Sequence, residues 1–165
     1  MARDGEAART TIVERTSVLP APPARAFAAV NSPEIAPVID PAVRMWKPDS
    51  DPIGVGTRFT IRGQLGVIPI RGTSETTTWD PPHLATYRSV SPAWPFRMTA
   101  EHRFDPEGTD RSRYTWTITF HEANVVARPL IALAARLFRR ATANQATGLT
   151  AYLAGNVQEG EDRST

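Results

Sequence analysis

The 165-residue sequence contains no cysteine, which excludes disulfides, thiol nucleophiles and thiolate metal sites. Lysine is nearly missing as well: Lys47 stands alone among 19 basic residues, leaving 18 arginines. Those arginines are dispersed and the formal net charge is only +2, so no basic stripe exists to track a phosphate backbone and nucleic acid is not an expected partner. Histidine occurs three times, at His83, His102 and His121. They lack HxH or HExxH spacing, and no metal site is expected. GxSxG, P-loop and GxGxxG patterns are absent, which argues against a serine hydrolase or a nucleotide enzyme and for no cofactor. Long apolar runs are missing too. The most apolar stretch, VVARPLIALAARLF, is interrupted by Arg128, Pro129 and Arg136 and is too short to span a bilayer. The amino-terminal MARDGEAART has no signal-peptide core. A soluble, cytoplasmic protein without an integral membrane segment is the expectation.

What is present suits one folded domain. Apolar residues make up 41% of the chain, enough for a core at this length. Residues 1–9 and 156–165 are polar and aperiodic and read as disordered tails, leaving a single domain over 10–155. TIVERTSVL (11–19) alternates as a strand and stops at a proline cluster. Pro23 then opens a short helix to Val30, since proline is tolerated in a first helical turn. Ser32-Pro33-Glu34 resembles an N-cap with proline at the first helical position, beginning a second short helix that Pro37 and Pro41 keep brief. Strand patterns follow at 42–47, 57–63, 68–79 and 84–90, separated by turn-rich segments.

The clearest local signal is a hairpin. FRMTAEHRF (96–104) and RYTWTITFH (113–121) flank DPEGTD, and both alternate in phase. The expected pairing sets Phe96 opposite Phe120, Met98 opposite Ile118, Ala100 opposite Trp116 and His102 opposite Tyr114. One face is then apolar and the other carries Arg, Thr and Glu. His102 is the misfit, a titratable ring in the apolar row. A long helix over about 127–154 closes the chain. Leu130, Ala134, Leu137, Phe138, Ala141, Gln145, Gly148, Leu149 and Tyr152 form its inner stripe. Ala141, Gln145 and Gly148 are small or polar there, which implies either a close approach by the sheet or a hollow.

This order of elements, with LPAPPARAFAAVNSPE, GVGTRF, TTTWDPPHLATYR and FDPEGTDRSRYTW, resembles the START / Bet v 1-like (SRPBCC) superfamily. The resemblance includes its polyketide cyclase/dehydrase and lipid-transport family. It implies an α+β helix-grip fold, in which a curved antiparallel sheet of about seven strands wraps a long C-terminal helix, with two short helices after strand 1. It also implies a cavity for a hydrophobic small molecule, whether lipid, isoprenoid or polyketide-like, and leaves a homodimer open. PVIDPAV (37–43) lacks the tryptophan that many members carry near the end of helix two, and no catalytic motif transfers residue by residue.

The residues themselves nominate the site. His102 can hydrogen-bond a ligand oxygen or move a proton, or it can be a core histidine satisfied by Tyr114. Tyr114 and Trp116 can wall a cavity or simply pack. Pairing across the DPPH turn sets Trp79 opposite Leu84 and Glu75 opposite Arg88. With Trp79 inward, Glu75 and Arg88 face inward as a buried ion pair or ligand anchor; with twisted strand ends they face solvent. Phe59, Ile61, Met98, Ile118, Leu137, Ala141, Gln145 and Gly148 complete the expected ligand-facing set. Three functions compete. The first is non-catalytic binding of a hydrophobic molecule. The second is a polyketide cyclase, aromatase or dehydratase using His102 and Tyr114 as acid/base groups. The third is an interaction module using the outer sheet face or the GQLGVIP loop.

Overall fold

The computed structural model describes residues 10–90, 96–122 and 127–162. The expected tail at 1–9 lies outside these residues, as do 163–165 at the other end. Seven strands form one antiparallel sheet: β1 (Thr10–Leu19), β2 (Val43–Pro48), β3 (Arg58–Leu65), β4 (Ile68–Asp80), β5 (Leu84–Ser89), β6 (Phe96–Pro106) and β7 (Ser112–Glu122). Their spatial order is β1-β7-β6-β5-β4-β3-β2, so the first two strands in sequence occupy opposite edges. Helices α1 (Pro23–Val30) and α2 (Ala36–Ile39) bridge that gap. The long α3 (Arg128–Asp162) packs against β1, β3, β7 and both short helices, completing the helix-grip architecture. It stays helical past residue 154, where the sequence pattern sets its end, so residues 156–162 are helix rather than the expected tail.

Local chemistry accounts for most element starts and for two departures. Pro23 opens α1, which buries Ala26, Phe27, Ala29 and Val30. The second helix begins later than the Ser32 pattern suggests. The Ser32 carbonyl accepts from the amides of Ile35 and Ala36, while its hydroxyl donates to Glu34 rather than capping the backbone. Regular helix is confined to the four residues 36–39. GQLGVIP is the close of β3, a tight turn at 66–67 and the start of β4, rather than a loop.

The β6–β7 hairpin keeps its expected faces but pairs two residues out of the expected register. Met98 lies opposite Phe120, Ala100 opposite Ile118, His102 opposite Trp116 and Phe104 opposite Tyr114. The turn sets this: Pro106 pairs with Ser112, the Glu107 amide bonds the Arg111 carbonyl at 3.0 Å, and Gly108 takes the left-handed position at φ +82°. A slip of two preserves which side chains face inward, because the side-chain period is two.

The β4–β5 pair departs more seriously. Glu75 does face Arg88, but Trp79 faces Ala85 and Asp80 faces Leu84, with a bulge between Thr76 and Thr78. The extra residue reverses the inward parity along β4. Trp79 is inward on one side of the bulge, and Ser74 and Thr76 are inward on the other. Glu75 and Arg88 are therefore on the outer face, which corrects the inward reading drawn from Trp79.

Along α3 the stripe is displaced at its start, where Leu130 is 48% exposed and Ile131 is buried instead. Ala134, Ala141, Gln145 and Leu149 are buried as expected. Gly148 is a close-approach position, but to α2: a methyl group there would overlap the backbone carbonyl of Ile39. Gly148→Ala is expected to destabilise by about 1–3 kcal/mol through overpacking, despite the roughly 1 kcal/mol by which Ala favours a helix over Gly. Thermal melts check this, and a rise in Tm would refute the contact.

Candidate functional site

Between α3, the inner sheet face and the α2–β2 segment lies a partly open hollow of about 200 Å³. Apolar side chains dominate it, among them Trp46, Ile61, Met98, Ile118 and Phe138. Ala141 supplies part of the floor because its short side chain leaves space that a leucine would fill. The small-residue stretch of α3 thus does two things: Ala141 and Gln145 border a hollow, and Gly148 admits α2.

His102 lines this hollow and is 8% exposed. Its ring stacks on Trp116 directly across the hairpin, with centroids 5.3 Å apart, and meets Tyr87 edge-on at 5.7 Å. The Nδ1 atom lies 2.7 Å from the Tyr114 hydroxyl, a contact across the diagonal of the hairpin rather than directly opposite. Burial pushes the imidazole pKa from 6.5 down to about 3, so the ring is neutral near pH 7. Burial also drives the Tyr114 phenol well above its ordinary value, with Asp40 and Tyr87 adding to the shift. A phenol in that state keeps its proton and can donate it to Nδ1. Donated in that sense, the bond sets the imidazole proton on Nε2 and leaves Tyr114 Oη–H paired; the 2.7 Å contact itself is compatible with either tautomer.

Two further polar side chains complete the inner surface. Tyr87 donates to Asn31 Oδ1 at 2.6 Å, and Asn31 in turn donates to the Phe27 carbonyl at 2.8 Å. Asp40, immediately after α2, is 5% exposed and lines the hollow. One of its oxygens accepts from the Ala42 amide at 2.9 Å. Desolvation raises its pKa from 3.8 to about 6 against the lowering effect of that hydrogen bond. The site therefore pairs a neutral imidazole with a carboxyl that titrates near neutrality.

The expected ligand-facing residues divide clearly. Ile61, Met98, His102, Trp116 and Ile118 border the hollow from the sheet, and Ala141 and Gln145 from α3. Arg88 borders it too, but its guanidinium points outward to Glu75 at 2.8 Å and is 55% exposed. Glu75 also meets Arg58 at 3.3 Å. Arg88, ahead of Arg58, holds its carboxyl below the usual range. Phe59 and Tyr114 are one layer back, behind Trp46 and His102 respectively. Trp79 packs edge-on to Phe27 at 5.1 Å, Leu137 is half-buried outside the lining, and Gly148 faces α2.

Sequence reasoning missed Asp40, Tyr87 and Trp46. Tyr87 was hidden by the bulge. Asp40 had one available signal, an acidic residue between Ile39 and Pro41 in the otherwise apolar PVIDPAV. Among the described residues, no cluster of three or more His, Cys, Asp or Glu could hold a metal. No described helix is long and apolar enough to cross a membrane.

Solved structures share this architecture at low sequence identity. An aromatase/cyclase, Zhui, from Streptomyces sp. R1128 is 15% identical, with 90% of this chain and 96% of that one covered at a TM-score of 0.77. A protein from Thermus thermophilus is 21% identical, with 88% and 99% covered at 0.72. Norcoclaurine synthase from Thalictrum flavum, solved with dopamine and hydroxybenzaldehyde, is 14% identical, with 94% and 95% covered at 0.68. Comparison with curated proteins gives no match. The family model for polyketide cyclase / dehydrase and lipid transport matches residues 10–154, from the first residue of β1 to the last turns of α3. The chain belongs to that family.

Proposed function

We propose that the protein binds a compact, largely apolar ring compound in the hollow, with His102 donating from Nε2 to an oxygen of the ligand. The observation that carries this is a neutral imidazole set among apolar and aromatic walls, its other nitrogen already engaged by Tyr114. Size narrows the class. A hollow of about 200 Å³ is below the roughly 300–1,000 Å³ typical of drug-sized sites. It is somewhat above the roughly 150 Å³ that admits benzene. A polyketide-type mono- or bicyclic ring suits that volume better than an extended lipid chain.

The test separates binding from packing. His102→Phe orphans the Tyr114 hydroxyl and is expected to cost about 1–3 kcal/mol of stability. Adding Tyr114→Phe removes the orphan and recovers most of that loss. Affinity for an oxygenated ring compound, followed by tryptophan quenching, stays down about 5–10-fold in both variants, the equivalent of one net hydrogen bond. Wild-type affinity in the double variant would make His102 a core residue only.

A second reading, a cyclase of poly-β-keto substrates, is favoured by one observation: the carboxyl of Asp40 shares the hollow and titrates near pH 6. Asp40 would take a proton from carbon between two carbonyls, and the electron pair would pass to an enolate whose oxygen His102 holds. The enolate carbon then bonds a second carbonyl carbon, and the proton returns to that carbonyl's oxygen. His102 is too weak a base near neutrality for the proton-abstracting role. The family and the aromatase/cyclase of like fold support this reading.

A further inference from the structure

Five buried side-chain atoms lack a hydrogen-bond partner among the described residues. Glu107 Oε2 is ion-paired with Arg113 at 3.4 Å, which leaves Thr76 and Ser112 by their hydroxyls, Trp116 by Nε1, and Gln145 by Oε1. The two hydroxyls belong to residues outside the lining, whereas Trp116 and Gln145 both line the hollow. They approach it from opposite walls, Trp116 from β7 and Gln145 from α3. Both are closely buried, at 8% and 6% exposure, and neither unpaired atom is open to bulk water. Leaving such groups without partners is costly, and native interiors seldom tolerate it beside a cavity that can hold the missing partner.

The chemistry of the pair is complementary. An indole Nε1–H only donates, and an amide oxygen only accepts. We propose that Trp116 and Gln145 form a polar subsite selecting ligands that carry a hydroxyl group, and hence an uncharged hydroxylated ring compound such as a phenol. A hydroxyl is the simplest group that accepts from one wall and donates to the other. An ether or ketone oxygen can satisfy only Trp116, and a bare hydrocarbon neither. Neither atom has accessible surface before binding, so binding in this way requires each side chain to turn its polar end toward the ligand. Asp40 in the same hollow disfavours an anionic ligand, so the hydroxyl is bound in its neutral form. This inference rests on the hollow being a ligand site.

Three probes of one shape test it: naphthalene, 2-methoxynaphthalene and 2-naphthol, titrated by tryptophan quenching and by calorimetry on the full chain. Expected affinity rises along that series, with 2-naphthol at least tenfold tighter than naphthalene. Trp116→Phe, read by calorimetry, is expected to weaken 2-naphthol and 2-methoxynaphthalene about fivefold or more relative to naphthalene. Gln145→Met is expected to weaken 2-naphthol alone by a similar factor. Because Gln145→Met also removes a buried unpaired oxygen, its Tm is expected to rise by roughly 2–4 °C. Equal affinity for the three probes, or a lower Tm in Gln145→Met, overturns the polar pair while leaving the hollow a binding site. Failure of all three probes to bind overturns the proposed function, and the pair with it.

Discussion

Phe104→Ala is expected to remove about 3–5 kcal/mol of stability and to lower Tm by roughly 6–20 °C in a chain of this size. Phe104 is fully buried and stacks on Tyr114 with centroids 4.9 Å apart. It also meets Phe27 of α1 edge-on at 5.6 Å. The ring thus ties the hairpin to the first helix, directly behind the side chain that orients His102. Its loss opens a cavity next to Tyr114 and frees that phenol to turn, so ligand affinity is expected to fall together with stability. Phe104→Leu retains most of the volume and should keep the larger part of both. Chemical denaturation checks the first claim and quenching titrations the second. A loss below about 1 kcal/mol for the alanine variant would mean that this cluster is not the joint between hairpin and helix.

Asp40→Asn is expected to do the opposite near neutral pH. The folded carboxyl holds its proton up to about pH 6, whereas its ordinary value is 3.8. Between those values the folded state binds more protons than the unfolded chain, so stability falls as pH rises through the window. The loss is complete above it, at about 3 kcal/mol from 1.36 kcal/mol per pKa unit. Asparagine cannot ionise and its side-chain oxygen can still accept from the Ala42 amide. The variant should therefore be more stable than the parent at pH 7, by up to about 3 kcal/mol, with the difference vanishing below about pH 4. His102 contributes a slope of the other sign, since its folded pKa of about 3 lies below the ordinary value of 6.5. That slope is common to both proteins and cancels in the comparison. A stability difference that does not change between pH 4 and pH 7 would show that Asp40 is not desolvated. The same variant tests the cyclase reading, which requires it to lose turnover while retaining ligand affinity. A buried group that weakens the fold is the kind of trade found at functional sites, and the turnover arm of this test decides whether Asp40 is such a case.

The legibility of the site follows the kind of physics each residue obeys. His102 was placed inward from alternation alone, and the two-residue slip in pairing did not matter to that placement, because parity survives an even shift. Its partner did depend on the register: Trp116, rather than Tyr114, lies directly opposite, yet Tyr114 is still the hydrogen-bond partner across the diagonal. The inner stripe of α3 was likewise readable from helical spacing at Ala141 and Gln145, where one face repeats regardless of what it packs against.

Glu75, Arg88 and Asp40 were beyond that reach. A single bulge in β4 turned the odd positions from inward to outward, and the strand's run of threonines carries no pattern that marks where the extra residue falls. Asp40 directly follows Ile39, whose backbone carbonyl packs against the bare backbone of Gly148. That contact sets the segment after α2 against the hollow. Periodicity, turn residues and the element order determined the fold and the inward histidine, since each depends on interactions a few residues apart. The register of the hairpin, the parity along β4 and the meeting of Asp40, His102 and Gln145 around one hollow were decided by tertiary packing. Those depend on atoms brought together from distant parts of the chain.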